Sequence, residues 1–129
     1  MSEKTVAQKL GLKAGKTLAV RQPPENVATL IGALPSGAKL ATAEHTPCAL
    51  ILMFAKDMAA LAKGLPGCKR QLEPGGALWV AYIKGTSPKK TDINRDSIRD
   101  YVATIGLDTV SQIAIDEDWS ALRLKVVQA

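Results

Sequence analysis

A single histidine and two cysteines leave this chain little material for metal or nucleophilic chemistry. A structural zinc centre needs four ligands at organised spacing. His45, Cys48 and Cys68 fall short of that set, and paired C-x-x-C knuckles are absent. Nor does any Ser/His/Asp or Cys/His/Asn set form around one imidazole. Two cysteines build no disulfide framework at this size, so they read as ordinary buried thiols of a reducing compartment. The longest apolar run, Ala49 to Ala55, is far too short to span a bilayer. "MSEKTVAQKLGLK" has no apolar core like that of a signal peptide. A cytoplasmic protein without membrane contact is therefore expected. The glycines of "GLPG" and "EPGG" read as turn glycines, without the lysine and hydroxyl of a P-loop.

What is present is the composition of a globule. With 129 residues and 47% of them apolar, one domain (1–129) can bury roughly two-thirds of its unfolded surface. The net charge of +5 suits an anionic partner, yet the cations are scattered from Lys4 to Lys125. Only Lys69-Arg70 and Lys89-Lys90 are adjacent, which is also how a solvated surface looks.

Along the chain, a short helical lead-in (Thr5 to Leu10) precedes a strand, "KTLAVRQ". "PPEN" opens a helix, since proline tolerates the first turn. Val27, Leu30, Ile31 and Leu34 recur at helical spacing, and "LPSG" is expected to end it. "AKLAT" reads as a short edge strand. "ALILMFA" is continuously apolar, as a central strand covered on both faces would be. Asp57 is placed to cap the next helix, with Met58, Leu61, Ala62 and Leu65 inward. Pro66 is expected to end that helix and start a new turn, which carries Cys68 and closes at "LEPGG". "ALWVAY" is the next buried strand. Asp92, or Thr91 before it, is expected to cap a helix with Ile98, Tyr101, Val102 and Ile105 on one face, stopped at Gly106. "TVSQIAID" and "SALRLKVV" form a hairpin around "EDW", with Leu122, Leu124 and Val126 alternating against Arg123 and Lys125. Strands alternating with helices predict an α/β fold: a three-layer, Rossmann-like, mostly parallel sheet ending in an antiparallel C-terminal hairpin.

This order resembles a pared-down S-adenosylmethionine-dependent methyltransferase, and "LEPGGALWV" resembles the "L-K-P-G-G-x-L" turn and strand common there. That motif shapes a turn and does not hold the cofactor. The cofactor's glycine-rich loop should follow the first strand, where this chain reads "AVRQPPENV", with two prolines and no glycine. Glu44 stands roughly where an acidic residue for a ribose would be expected. The chain also resembles a bacterial family of small domains of unknown function. "VAQKLGLKAGKTL" is similar to its N-terminal "LAQKLG-(F/L)-KPG" signature, with Ala14 where proline is frequent. "DEDWSALRL" is similar to its C-terminal "DWSA-(T/L)-RL", and "LWVAYIKGTSPKKTDINRD" to its loop and third helix. The resemblance implies a methyltransferase-like α/β sandwich and supplies no catalytic residue.

Ligands of open α/β sheets bind beyond the carboxyl ends of the strands, where "GTSPKKTDINRD" leaves "ALWVAY". Lys84, Lys89, Lys90, Thr91, Asp92 and Arg95 from this loop, with Asp118 and Trp119 from the hairpin tip, are the candidate ligand-binding residues. Lysines and a helix N-terminus suit an anionic small ligand. A capped, solvated loop accounts for the same residues, with Trp119 covering the sheet end. "SPKK" occurs once, without aromatic neighbours for stacking, which argues against nucleic acid. No catalytic residue, cofactor or metal is expected. The leading reading is a non-enzymatic binding or regulatory module, with a homodimer through the hairpin as one partner. The alternatives are a transferase using a nucleotide or S-adenosylmethionine in an unorthodox pocket, and a weak nucleic-acid binder through loop 84–95.

Overall fold

Six strands form one sheet in the order β2-β1-β3-β4-β6-β5 in the computed structural model, which describes residues 6–41 and 48–127. In chain order the elements are α1 (Val6–Lys9), β1 (Thr17–Arg21), α2 (Val27–Ile31), β2 (Lys39–Ala41) and β3 (Cys48–Ala55). They continue with α3 (Met58–Gln71), β4 (Leu72–Ile83), α4 (Arg95–Ala103), β5 (Leu107–Ala114) and β6 (Trp119–Val126). The first four strands of the sheet run parallel, and β6 pairs antiparallel with both β4 and β5. The α/β architecture and its antiparallel ending are those read from the sequence. The three-residue β2 lies at the sheet edge, as its length suggested.

The apolar runs have partners on both faces. Leu18, Val20, Leu52, Phe54, Trp79 and Ala81 pack under α1 and α2, while Ile51, Met53, Leu78, Val80 and Leu124 pack under α3 and α4. Successive strand residues point to opposite faces, so a strand with helices on both sides must be apolar throughout. The indole Nε1 of Trp79 donates to the Leu10 carbonyl at 3.0 Å and ties the lead-in helix to the sheet.

Several local expectations are corrected. Pro66 and Cys68 lie inside α3, which runs unbroken to Gln71. Proline deprives the carbonyl four residues earlier of its donor. That carbonyl, on Ala62, accepts instead from the Tyr101 hydroxyl of α4 at 3.5 Å. Ala62, expected on the inward side, is exposed. Helix α2 ends at Ile31 with Gly32 at φ 78°, which leaves Leu34 beyond it and exposed. "LEPGG" belongs to β4 rather than to a preceding turn. Cys48 pairs with Leu72 and Leu50 with Ala77, so residues 73–76 bulge out opposite Ala49. At the other end of the fold, Val126 departs from the buried alternation of Leu122 and Leu124.

The start of α4 is also corrected. Its cap is Asn94, whose side chain accepts from Ser97 N while Ser97 Oγ accepts from Asn94 N, both at 2.9 Å. Asp92 serves α3 instead, its Oδ1 accepting from Met58 N at 2.9 Å. Asp57 caps α3 as expected, accepting from Ala60 N at 2.8 Å. Two carboxylates therefore meet one helix N-terminus, where backbone donors and the helix dipole favour negative charge.

Candidate functional site

The candidate residues fall into three groups. Lys84, Lys89, Asp118 and Trp119 meet where the end of β4 faces the β5–β6 turn. Lys84 N donates to Asp118 O at 2.7 Å. Ser87, which is buried, donates through Oγ to Asp118 Oδ1 at 2.7 Å, and Lys89 Nζ lies 3.2 Å from Asp118 Oδ2. The Ser87 hydroxyl, then the Lys89 ammonium, holds the Asp118 carboxyl below its ordinary range. Trp119 turns its ring onto Phe54, centroids 5.1 Å apart at 82°, and so covers the end of β3. This corner is knitted to itself.

Thr91 and Asp92 are drawn away from the corner. The Thr91 hydroxyl donates to Lys56 O at 2.5 Å, and Asp92 faces the first turn of α3. Lys90 is exposed, with its backbone N bonded to Ser87 O at 3.2 Å. Arg95 leaves for a third place, a shallow groove of about 450 Å³ with Tyr82, Thr86, Asp96 and Gln112, where it reaches Gln112 Oε1 at 3.5 Å. Burial raises the Tyr82 hydroxyl above its ordinary pKa, so it is neutral in that groove at physiological pH. The loop residues are mostly engaged with the protein's own backbone and side chains.

The strand order reverses between β1 and β3, and the crevice at such a switch point is where doubly wound folds hold their ligands. Gln22 follows β1 directly with φ at 54°, a conformation uncommon outside glycine. Its side chain crosses the crevice, and Nε2 donates to Ala60 O of α3 at 3.3 Å. The amide occupies the hollow above Gly64, where a Cβ would lie 2.0 Å from Gln22 Nε2. Pro23 and Pro24 follow, so this loop has two residues with no N–H to offer. The missing glycine loop was legible in the sequence, but the glutamine bridge was not.

A cavity of about 930 Å³ lies toward the other end of the sheet, near the amino ends of β1, β3 and β4. Leu10, Lys13 and Lys16 border it from one side, Gln71 and Glu73–Ala77 from another, and Arg123 from β6. None of its lining residues was singled out as a binding residue from the sequence, because they come from segments far apart in the chain. Cys48 also lines it, with Sγ 3.4 Å from Leu50 O and 3.6 Å from Thr17 O. Cys68 is buried in α3. His45 and Glu44 lie outside the described residues, and no metal-holding group of three His, Cys, Asp or Glu occurs among those described.

A family model described as "Protein of unknown function (DUF3052)" matches residues 35–128. No curated protein matches the chain in sequence. Among solved structures, a SAM-dependent methyltransferase from Aquifex aeolicus is similar, at TM-score 0.65 and 13% identity over 95% of this chain and 88% of that one. An rRNA methylase from Streptococcus thermophilus aligns at TM-score 0.56 and 12% identity, over 99% of both chains. A protein in the NADB-Rossmann superfamily from Streptococcus agalactiae aligns at 0.57 and 12%, over 100% of this chain and 71% of that one. At such identities the likeness is one of fold. At the switch point, among the described residues, Gln22 lies across the hollow above Gly64, and Pro23 and Pro24 offer no backbone N–H.

Proposed function

The chain belongs to the DUF3052 family, and we infer from its bridged crevice that it is a non-enzymatic binding module on a methyltransferase scaffold. The observation that carries this reading is the Gln22 side chain spanning from the end of β1 to Ala60 of α3. A cofactor seated at the switch point would have to displace that amide and approach a loop with no glycine. The corner at Asp118 supports the same reading, because its hydroxyl, ammonium and carboxylate groups satisfy one another.

Calorimetric titration with S-adenosylmethionine and S-adenosylhomocysteine tests it. The expected result is no saturable heat from the wild-type protein and gain of binding in Gln22→Gly. Wild-type binding tighter than about 100 μM would overturn the reading and favour a transferase. Thermal melting gives a second readout, since a ligand at a hundred times its Kd adds about 2.7 kcal/mol.

A further inference from the structure

The net charge of +5, dispersed in the chain, is unevenly placed in the fold. Around the carboxyl ends of the parallel strands, Asp57, Asp92, Asp96, Asp116, Glu117 and Asp118 offset the local cations. Around the amino ends, Lys13 and Lys16 precede β1, Lys39 opens β2, and Lys69 and Arg70 end α3. Lys16 O accepts from Lys39 N at 3.0 Å, which brings those two stretches together. Lys125 faces Asp108 across the β5–β6 pair, two residues beyond Arg123.

The cavity lies within this basic end. Among the described residues, its charged lining is Lys13, Lys16 and Arg123 with Glu73. Leu10, Leu50 and Ala77 supply apolar wall. The rim is partly bare backbone, with Gly75 at φ 78° in a conformation that disfavours side chains. At Gly76 a Cβ would come within 2.7 Å of Ala49 O. The volume is that of a small-molecule site, and the mixture of apolar wall with a few charged groups is what orients a ligand there.

We propose that this cavity binds a small organic anion, its phosphate or carboxylate group among Lys13, Lys16 and Arg123 and its apolar body against Leu10, Leu50 and Ala77. A guanidinium presents a planar fork that matches either group, and lysines add point charges. The proposal rests on the reading of the chain as a binding module and adds the site and the ligand class. It uses the opposite end of the sheet from the crevice, so the two can fail separately.

The test is amide-resolved NMR of the full chain titrated with AMP, dodecanoate and inorganic phosphate, with S-adenosylmethionine as a separate arm. Saturable shifts at Gly11, Gly75, Gly76 and Ala77 with AMP or dodecanoate are expected, and which of the two binds identifies the source of the anion. Affinity should fall about tenfold or more in the Lys16→Ala/Arg123→Ala variant and stay unchanged in Lys89→Ala/Lys90→Ala. Both pairs are exposed side chains, so both variants should stay folded, with Lys89→Ala/Lys90→Ala losing only the ion pair to Asp118. Absence of shifts with both organic anions at about 1 mM, undiminished binding in the cavity variant, or equal affinity for bare phosphate would each overturn the proposal. Shifts with S-adenosylmethionine at Gln22, Ala60 and Gly64 would instead overturn the non-enzymatic reading alone.

Discussion

Replacing Gly76 by alanine isolates the close approach that shapes the cavity rim. A Cβ there would lie 2.7 Å from Ala49 O, 2.9 Å from Leu72 Cδ1 and 3.0 Å from Glu73 O. The leucine methyl can rotate away, but the two oxygens belong to backbone at the point where β3 and β4 change register. Carbon-to-oxygen contacts are normally about 3.3 Å or longer, so the Ala49 carbonyl must retreat by roughly half an ångström. Forcing an extra methyl into a filled site costs about 1–3 kcal/mol. Reduced freedom of the unfolded chain returns about 0.4–1 kcal/mol. The balance is a destabilisation of about 1–2 kcal/mol, which for a domain of this size lowers Tm by about 3–8 °C. Thermal melting followed by circular dichroism measures it. Gly85→Ala is the control: nothing lies within 4 Å of its Cβ and its φ is not positive, so Tm should hold or rise slightly. A Gly76→Ala protein melting at or above the wild-type temperature would refute the reasoning.

Two further outcomes follow from the caps and the corner. The Asp118 carboxyl is held below its ordinary pKa of 3.8 by Ser87 and Lys89, so it adds stability above the unfolded value that is lost as pH falls through the folded one. Wild-type Tm should therefore drop more than that of Asp118→Asn between neutral pH and the acid side of that range, and parallel curves would show the corner to be energetically idle. Asn94→Ala should destabilise by about 1 kcal/mol through loss of the α4 capping box, seen as a lower denaturant midpoint at unchanged slope.

Much of the scaffold was legible in the sequence. "ALILMFA" and "ALWVAY" read as doubly covered strands, because a strand with one uncovered face shows polar residues at every second position. Asp57 and Gly106 act locally, one as an N-cap and one at φ 80°, so their neighbours in sequence were enough to place them. The failures share a different cause. Pro66 lies inside a helix, and the carbonyl it leaves free faces a tyrosine hydroxyl from α4 at 3.5 Å, a partner that no local spacing reveals. Asp92 caps α3, which begins 34 residues earlier, and not the helix that follows it.

The candidate site was less legible still. The proposed loop and hairpin tip do meet, but their charged groups largely close on one another through Ser87, Lys89 and Asp118. Gln22 looked like a residue in a loop that merely lacked glycine, and only the position of α3 turns it into a bridge.

Hydrophobic periodicity, turn chemistry and local caps therefore determine the layers, the strand directions and the closing hairpin, since each acts over a few residues and is written along the chain. The strand order decides the rest. It sets β1 beside β3, brings Lys13, Lys16 and Arg123 to one cavity from segments a hundred residues apart, and leaves acids to balance the opposite end. Electrostatic and steric convergence depends on distance in space, which spacing along a sequence does not carry.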